Sequence, residues 1–406
     1  MSVPLDHAEE TIMRHIALSM IGGGFSAHLH GRCFQQLAGV DLRLRGIATT
    51  RLSTAEPIAK LYGYEYCTDH YEQLLEDPET DVIFVNTPPA LHTRMILQAL
   101  EAGKHVICEK PLTGYFGTPE DGEAVGDTVG KEKMYHSVLR DLERIGDAIA
   151  RSGKQFMYAE NYIYAPNIQK AAEIIRARAS TTLFMRGELM VQGSPSKFSG
   201  VWKNAGGGCL MRIGCHPLGG MLWLKRMESE AKGATIRPVS VMAETGRLST
   251  GLSDWDSRHL KADPQDVEDF AAMTMTFSDQ TKAMVVVNDN ALGGLRNRID
   301  IFANDGTMLC RITPNDYMDS FFLDDYGLDH IYLAEKLENK LGWNSIAAAE
   351  NITRGYAPQL QDFIECVADD RPPLSDFSLA AEVTRLIYAG YLSAERGMRI
   401  ELDELC

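Results

Sequence analysis

Residues 15–27 read His-Ile-Ala-Leu-Ser-Met-Ile-Gly-Gly-Gly-Phe-Ser-Ala, an apolar run that leads directly into a glycine-rich turn. An apolar helix pattern follows through Leu37, so the turn reads G-x-G-x-x-A between a predicted strand and a predicted helix. Gly22 would permit the tight turn, Gly24 would let a pyrophosphate approach the backbone, and Ala27 would keep the helix close to the sheet. A glycine-rich turn alone is often only a turn, but this context predicts a dinucleotide site at the helix N-terminus.

The second predicted strand bears on which dinucleotide would bind. It runs from Leu42 to Ala48 and ends at Thr49-Thr50-Arg51. A Rossmann unit that binds NAD usually has Asp or Glu here to hold the ribose hydroxyls, and this sequence has neither at that point. Small hydroxyls followed by Arg suit a 2′-phosphate, which favours NADP over NAD. The alternative is that Arg51 stacks on adenine and discriminates little between the two.

Strands and helices continue to alternate along the next part of the chain. Residues 81–87 contain the apolar run Val-Ile-Phe-Val, which is typical of a parallel strand buried on both faces. A helix is predicted over His92–Glu101 and a short strand over His105–Cys108. This alternation predicts a doubly wound parallel sheet, whose ligands bind beyond the carboxyl ends of the strands. Two such ends are followed by Thr87-Pro88 and by Glu109-Lys110-Pro111, which would form the rim of the site.

Three stretches together resemble a known family. They are Ile21-Gly-Gly-Gly-Phe25, Thr87-Pro88 with His92, and Ala102-Gly-Lys-His-Val-Ile-Cys-Glu-Lys-Pro-Leu112. They look like the glucose–fructose oxidoreductase/inositol dehydrogenase (Gfo/Idh/MocA) family, with a clear match over about residues 16–112 and a looser one over 153–225. The resemblance implies an α/β fold with an N-terminal doubly wound parallel (Rossmann) sheet. It also implies a C-terminal α+β domain with a large, open, mostly antiparallel sheet.

The resemblance further implies which residues meet the cofactor. It places Lys110 beside the nicotinamide and the reacting carbon, where a buried ammonium would stabilise a developing alkoxide. Pro111 would fix the turn that aims Lys110, and a solvated loop lysine is the alternative. The predicted cofactor-binding residues are Gly22, Gly24, Phe25, Ser26, Thr49, Thr50, Arg51, Thr87, Pro88, His92, Glu109, Lys110 and Pro111.

A second informative block lies in the C-terminal half. A triplet, Gly206-Gly207-Gly208, precedes Arg212 and His216, and the block resembles a family pattern of three glycines, an Asp, and a His four residues later. His216 keeps the position of the family's general base, and histidine suits proton removal at neutral pH, although a buried core histidine is the alternative. Arg212 stands where the Asp is expected and cannot take a proton. It could bind a carboxylate or phosphate on an acidic substrate such as a uronate, or form a structural ion pair.

Three further residues are weaker candidates for the substrate pocket: Asn161, Trp202 and Lys203. Asn161 lies in a segment that resembles the family's crossing to the second domain. It could contact the cofactor carboxamide or substrate hydroxyls, or it could cap a helix. A glycine-rich insertion at about 113–133 starts beside Lys110; a surface excursion is expected there, with a substrate lid as the alternative.

The expected organisation is two domains. A dinucleotide-binding Rossmann domain, which includes the insertion, covers residues 1–158, and a substrate-binding and oligomerisation domain covers 159–406. From Glu268 onward apolar and polar residues alternate, as in an antiparallel sheet. One exposed apolar sheet face needs a cover, so a homodimer or homotetramer is expected.

Composition excludes several classes of protein. Forty Lys and Arg against 56 Asp and Glu give a formal charge of −16, which argues against nucleic acid and anionic membrane as partners. The eight cysteines contain no Cys-x-x-Cys pair, and Met1–Arg14 lacks the order of a signal peptide, so a cytoplasmic protein with reduced thiols is expected. Cys209, Cys215 and His216 lack the spacing of a metal motif, and no metal is predicted.

These features predict an NAD(P)-dependent oxidoreductase, a sugar or polyol dehydrogenase or reductase. It would transfer a hydride between the nicotinamide and a secondary alcohol or ketone of a sugar, cyclic polyol or sugar acid. Two alternatives stay open. One is redox-neutral glycoside cleavage or epimerisation through a transient keto intermediate with a tightly bound cofactor, and the other is a non-catalytic sugar and dinucleotide sensor.

Overall fold

The computed structural model describes residues 15–313, 319–326, 328, 333, 339–345 and 349–405. Residues 1–14, on which the expectation about a signal peptide rests, lie outside this part of the chain. The N-terminal half is built on six parallel strands in the order β3-β2-β1-β4-β5-β6. They are β1 His15–Ile21, β2 Asp41–Ala48, β3 Tyr66–Thr68, β4 Val82–Val85, β5 His105–Glu109 and β6 Phe156–Ala159.

This order confirms the predicted doubly wound sheet. Strand β4 is buried at every residue, as expected for a parallel strand with helices on both sides. The strand order reverses between β1 and β4, and the crevice at such a reversal is where ligands of these sheets bind. The connecting helices are α1 Phe25–Phe34, α2 Leu52–Tyr62, α3 Glu72–Glu76, α4 His92–Glu101, α5 Val125–Thr128 and α6 Lys131–Ser152.

The C-terminal half carries a second, mixed sheet of seven strands in the order β12-β11-β7-β10-β9-β8-β15, with β13 and β14 paired separately. All neighbours in the larger sheet run antiparallel except β7 and β10. The strands are β7 Thr182–Met190, β8 Pro238–Gly246, β9 Phe270–Phe277, β10 Lys282–Asn288, β11 Arg296–Ala303, β12 Gly306–Arg311, β13 Asp319–Phe322, β14 Gly342–Ser345 and β15 Ile400–Glu401. The helices are α7 Pro166–Arg178, α8 Trp202–Ala205, α9 Cys209–Arg212, α10 Cys215–Lys232, α11 Asp254–Ser257, α12 Glu350–Thr353, α13 Tyr356–Ala368 and α14 Phe377–Arg396.

The two faces of the larger sheet differ. Helix α10 packs closely on one face, where Gly187 of β7 faces Pro217; a Cβ at Gly187 would lie 2.7 Å from the Pro217 Cβ. On the opposite face Met242, Phe302 and Leu309 are exposed. The sheet confirms the predicted mostly antiparallel architecture, and the expected homodimer or homotetramer stays a prediction.

The insertion after the Glu-Lys-Pro turn is packed between the two halves of the chain. The carbonyl oxygen of Tyr115 accepts a hydrogen bond from the indole Nε1 of Trp202 at 3.0 Å, and the Tyr115 N–H donates to the hydroxyl of Tyr388 at 2.6 Å. The N–H of Gly126 donates to the Asp266 carboxylate at 2.9 Å. The surface excursion stays a prediction, to which the structure adds that this segment makes buried contacts with the second domain.

The C-terminal helices return to the first domain. Helix α13 packs against α1 and β1, and α14 packs against α6 and β6. The Tyr158 N–H also donates to the Ser375 carbonyl oxygen at 2.9 Å. The domain boundary between residues 158 and 159 stays a prediction. The structure shows in addition that segments beyond residue 355 cover the first sheet.

Within the described residues, no helix has both the length and the apolar character that crossing a bilayer requires. The seven cysteines that the structure describes are free thiols.

A glycine substitution tests the packing of the insertion. A Cβ at Gly126 would lie 1.8 Å from the Asp266 carbonyl oxygen, so Gly126→Ala should lower the free energy of unfolding by about 1–3 kcal/mol. The control is Gly130→Ala, because a Cβ there would meet nothing within 4 Å; its cost should stay below about 1 kcal/mol, the loss of a helix N-cap glycine. Thermal unfolding of both variants measures the difference, and equal midpoints would show that the insertion is not packed as described.

Candidate functional site

The glycine loop leaves room for a phosphate group at the N-terminus of α1. Gly22 has φ +114°, and a Cβ there would lie 2.0 Å from the Asn86 carbonyl oxygen, so only glycine fits. At Gly24 a Cβ would meet nothing within 4 Å, which shows open space at the start of the helix. Backbone N–H groups and the helix dipole both favour an anion there, so these residues fit the pyrophosphate of a dinucleotide.

The loop after β2 is organised by its own hydroxyl. The Oγ1 of Thr49 donates to the Arg51 carbonyl oxygen at 2.8 Å and accepts from the Arg51 N–H at 3.3 Å. This hydroxyl therefore holds the turn. The Arg51 side chain is exposed at the N-cap of α2, where it can reach a ligand from the rim.

The Glu-Lys-Pro turn follows β5 and is held from behind by a buried histidine. His92 has Nε2 2.8 Å from the Thr87 carbonyl oxygen and Nδ1 2.9 Å from the Pro111 carbonyl oxygen, so its ring joins the loops after β4 and β5. The peptide bond between Lys110 and Pro111 is cis. His92 was predicted to bind the cofactor; the structure places it fully buried, where it supports the rim loops instead.

The side chain of Lys110 crosses toward the second domain. Its ammonium donates to the Arg212 carbonyl oxygen at 3.1 Å. Next to it, Glu109 accepts from the Lys110 N–H at 2.9 Å and lies 2.6 Å from Nε2 of His30. Burial raises the pKa of Glu109, but the His30 hydrogen bond and the charges of His30 and Lys110 outweigh burial and lower it. Glu109 is therefore a carboxylate beside the ammonium.

His216, at the start of α10, is paired with a carboxyl group that the sequence analysis did not single out. Its Nδ1 lies 2.8 Å from Oε1 and 3.1 Å from Oε2 of Glu160, which is completely buried. The His216 ring stacks on Tyr162 with centroids 4.7 Å apart and an interplanar angle of 11°. A charged residue directly after the buried strand β6 was the available signal for Glu160.

Arg212 and Asn161 bring polar groups to the same cleft. The Nη2 of Arg212 pairs with the Asp289 carboxylate, while its Nε is buried and has no hydrogen-bond partner among the described residues. The Nδ2 of Asn161 donates to the Arg354 carbonyl oxygen at 2.7 Å. The Asn161 Oδ1 is buried at the cleft wall, and the part of the chain that the structure describes offers it no donor.

The cleft that joins these groups has a volume of about 290 Å³. Its position matches the crevice at the reversal of strand order, since residues that follow β1 and β4 contribute to it. It is lined by Phe25, Ser26, Leu29, Thr87, Glu109, Lys110, Ala159, Asn161, Leu189, Val191, Arg212, Ile213, His216, Leu295, Arg354 and Tyr356.

Two predicted substrate residues lie outside this lining. Trp202 is buried, and its indole N–H donates a hydrogen bond to the carbonyl oxygen of Tyr115 in the insertion. Lys203 pairs with the exposed Glu123, also on the insertion, at 3.0 Å. Both residues therefore hold the insertion, and the structure does not bring them to Lys110 and His216.

Three potential metal-binding atoms also meet in the cleft wall. They belong to Glu160, Cys215 and His216 and lie within 4.8 Å of one another. Burial raises the pKa of the Cys215 thiol to about 12, although the charge of Lys110 lowers it. The sulfur therefore stays protonated. This donor set is a poor match for a cation, and the absence of a metal stays a prediction.

The geometry can be compared with known proteins. Residues 16–139 match the family model of the Gfo/Idh/MocA oxidoreductases with an NAD-binding Rossmann fold, and residues 168–309 match the model of the Gfo/Idh/MocA C-terminal domain. An uncharacterised oxidoreductase of Bacillus subtilis is 24% identical over 297 residues, which cover 72% of this chain and 73% of that protein. The levoglucosan dehydrogenase of Pseudarthrobacter phenanthrenivorans is 30% identical over 139 residues, 32% of this chain and 35% of that enzyme.

Solved structures share the fold over nearly the whole chain. The crystal structure of GenD2 from gentamicin A biosynthesis, in complex with NAD, superposes with a TM-score of 0.75 at 20% identity, covering 98% of this chain and 99% of that one. Both domain models and the full-length structural similarity agree with the observed fold. The chain therefore belongs to the Gfo/Idh/MocA family of oxidoreductases.

Proposed function

We propose that this protein is an NAD(P)-dependent oxidoreductase for a secondary alcohol or ketone of a sugar, cyclic polyol or sugar acid. The observation that carries the proposal is one cleft that contains both Lys110 and His216 and opens beside the glycine loop. The similarity to a levoglucosan dehydrogenase supports a sugar as the substrate class. A redox-neutral reaction and a non-catalytic sensor are outcomes that the tests below distinguish.

The cofactor would supply the hydride acceptor or donor. Lys110 would bind the substrate oxygen, because its ammonium stabilises the negative charge that develops there. His216 would take the hydroxyl proton during oxidation and return it during reduction. Asn161 would orient the substrate or the cofactor carboxamide, since its Oδ1 is a buried acceptor that needs a donor.

Arg212 extends the proposal to an acidic substituent. A guanidinium has five N–H donors; Nη2 of Arg212 pairs with Asp289, and among the described residues its Nε has no partner. A carboxylate on the substrate could accept hydrogen bonds from the donors that Asp289 does not use. A uronate-like sugar acid is therefore the substrate class that we favour.

Arg51 extends the proposal to the choice of cofactor. Its exposed guanidinium follows β2, where the ribose of the adenosine half would lie, and no acidic residue stands at Thr49-Thr50-Arg51. We therefore favour NADP over NAD, with Arg51 as the partner of the 2′-phosphate.

Loss of the ammonium tests the central role. Lys110→Ala should lower kcat/KM about 10²–10³-fold on the best alcohol, because the alkoxide would lose its charge partner. The control, Lys170→Ala, removes a surface lysine of α7 and should leave kcat/KM unchanged. Nicotinamide absorbance measures both. Full turnover by Lys110→Ala would contradict the role, and substrate consumption without net nicotinamide reduction would favour the redox-neutral alternative.

The cofactor preference rests on a single side chain. Arg51→Ala should raise the KM for NADP about 10- to 100-fold, the value of hydrogen bonds to a charged group, and leave the KM for NAD nearly unchanged. Arg140→Ala on the exposed surface of α6 is the matched control. The NADP preference would be wrong if the wild type used NAD at least as well, or if Arg51→Ala affected both cofactors equally.

A pair of substrates tests Arg212. Arg212→Gln should raise the KM for a uronate about 10- to 100-fold and change the KM of the matching neutral sugar little, because only the uronate loses a charged partner. Steady-state kinetics with a uronate and its matching neutral sugar gives the ratio of the two KM values in the wild type and in the variant. The same factor for both substrates would show that Arg212 is a structural ion-pair residue.

A further inference from the structure

The carboxyl group of Glu160 has a geometry that suits control of a proton on His216. Both of its oxygens lie within 3.1 Å of Nδ1 of His216, and both side chains are nearly or completely buried. The two residues are 56 positions apart in the chain, so only the folded structure brings them together.

Three contacts, two of them from Tyr162 and one from Gly219, fix this pair. The Glu160 carboxylate also accepts the Tyr162 N–H at 3.1 Å, which holds it at the end of β6. The Tyr162 ring stacks on His216 and sets the plane of the imidazole. Gly219 lets α10 approach, because a Cβ there would lie only 3.0 Å from Cγ of Glu160. The orientation of the imidazole is therefore determined by packing as well as by the hydrogen bond.

The expected aspartate is absent from its usual place. Arg212 occupies that position and pairs with Asp289, so it cannot accept a proton or hold an imidazole N–H. A carboxylate partner for His216 must therefore come from another element. Glu160 is in hydrogen-bond contact with His216.

We propose that Glu160 is the positioning residue of His216, holding Nδ1–H and stabilising the imidazolium in place of an aspartate at position 212. This inference rests on the proposed function, in which His216 exchanges the substrate proton. With Nδ1 protonated toward Glu160, Nε2 is the nitrogen that can accept a proton.

In the direction of oxidation, the proton and the hydride would leave the substrate for different acceptors. The substrate O–H bond breaks and its proton forms a bond with Nε2 of His216. The C–H bond breaks and its electron pair leaves with the hydrogen as hydride to the nicotinamide, while the carbon–oxygen double bond forms. The alcohol is oxidised by two electrons, the nicotinamide is reduced by two, and Glu160 stays a carboxylate throughout.

The pKa of Glu160 determines the pH range in which the Glu160–His216 pair can act. Burial raises the pKa of Glu160 to about 8, while the charge of Lys110 lowers it and that of Glu109 raises it. Glu160 therefore carries a negative charge above about pH 8, and only that carboxylate can stabilise the imidazolium that forms when His216 takes the substrate proton. The titratable groups that face Glu160 are Lys110, Glu109, Tyr158, Tyr162, Cys215 and His216.

The pH dependence of oxidation tests the proposal. In the wild type kcat should rise with pH through about 8 as Glu160 becomes a carboxylate, and in Glu160→Gln this limb should no longer lie there, because the side chain at position 160 no longer titrates. The kcat of Glu160→Gln should fall about 10²–10⁴-fold with little change in KM. Glu160→Asp keeps the charge and should return the limb toward the wild-type position.

The control is another buried carboxyl group. Burial raises the pKa of Glu268 to about 7, and its carboxylate accepts hydrogen bonds from Tyr391 and the Gly208 N–H outside the cleft lining. Glu268→Gln should leave the limb in place. A limb that is unmoved in Glu160→Gln, or moved equally in Glu268→Gln, would overturn the positioning role.

A measurement without turnover separates this inference from the proposed function. The signal of ¹³Cε1-labelled His216, assigned with His216→Asn, should respond to the ionisation of Glu160 near pH 8 in the wild type and show the Nδ1–H tautomer above that pH. An Nε2–H tautomer, or an unchanged titration in Glu160→Gln, would overturn the pair. If the pair behaves as expected but no alcohol or ketone turns over with either cofactor, the proposed function alone fails.

Discussion

The hydrogen bond from the Lys110 ammonium to the Arg212 carbonyl oxygen is the contact on which the site depends. It joins the turn after β5 to the segment before α10. One lysine therefore connects the carboxyl edge of the first sheet to the second domain across a single cleft. His92 supports the same turn from behind, through the carbonyl oxygens of Thr87 and Pro111. A carbonyl oxygen holds the ammonium without neutralising its charge, which leaves that charge available to a substrate oxygen.

The charges around the cleft follow one pattern: buried ionic groups have partners, because an isolated charge inside a protein is costly. Glu109 pairs with His30, Arg212 with Asp289, and Glu160 with His216. The chain has a formal charge of −16, yet Lys110, Arg212 and Arg354 line this cleft. Arg212 and Arg354 have carboxylate partners in Asp289 and Glu350, whereas the Lys110 ammonium is held by a carbonyl oxygen.

Local patterns made the first domain predictable from the sequence. Each of three signals spans only a few residues: the glycine loop, the apolar run of β4 and the Glu-Lys-Pro turn. Their geometry follows from short-range rules, and the sheet that they predicted is the one observed. Lys110, His216, Arg212 and Asn161 do meet in one cleft.

Long-range contacts were not predictable in the same way. Glu160 and Asp289 were missed because their partners lie 56 and 77 positions away, at His216 and Arg212. The contact between Trp202 and the insertion was not predicted either, because no periodicity indicates the buried contacts of the insertion.

The central claim is that Lys110 directs its ammonium at the redox ring of a bound coenzyme. A crystal structure of the protein with a nicotinamide coenzyme and a sugar-acid ligand tests it most directly. The account predicts Nζ of Lys110 in hydrogen-bond contact with the ligand oxygen on the carbon that faces the nicotinamide C4. An ammonium that points to solvent, with the nicotinamide elsewhere, would contradict it.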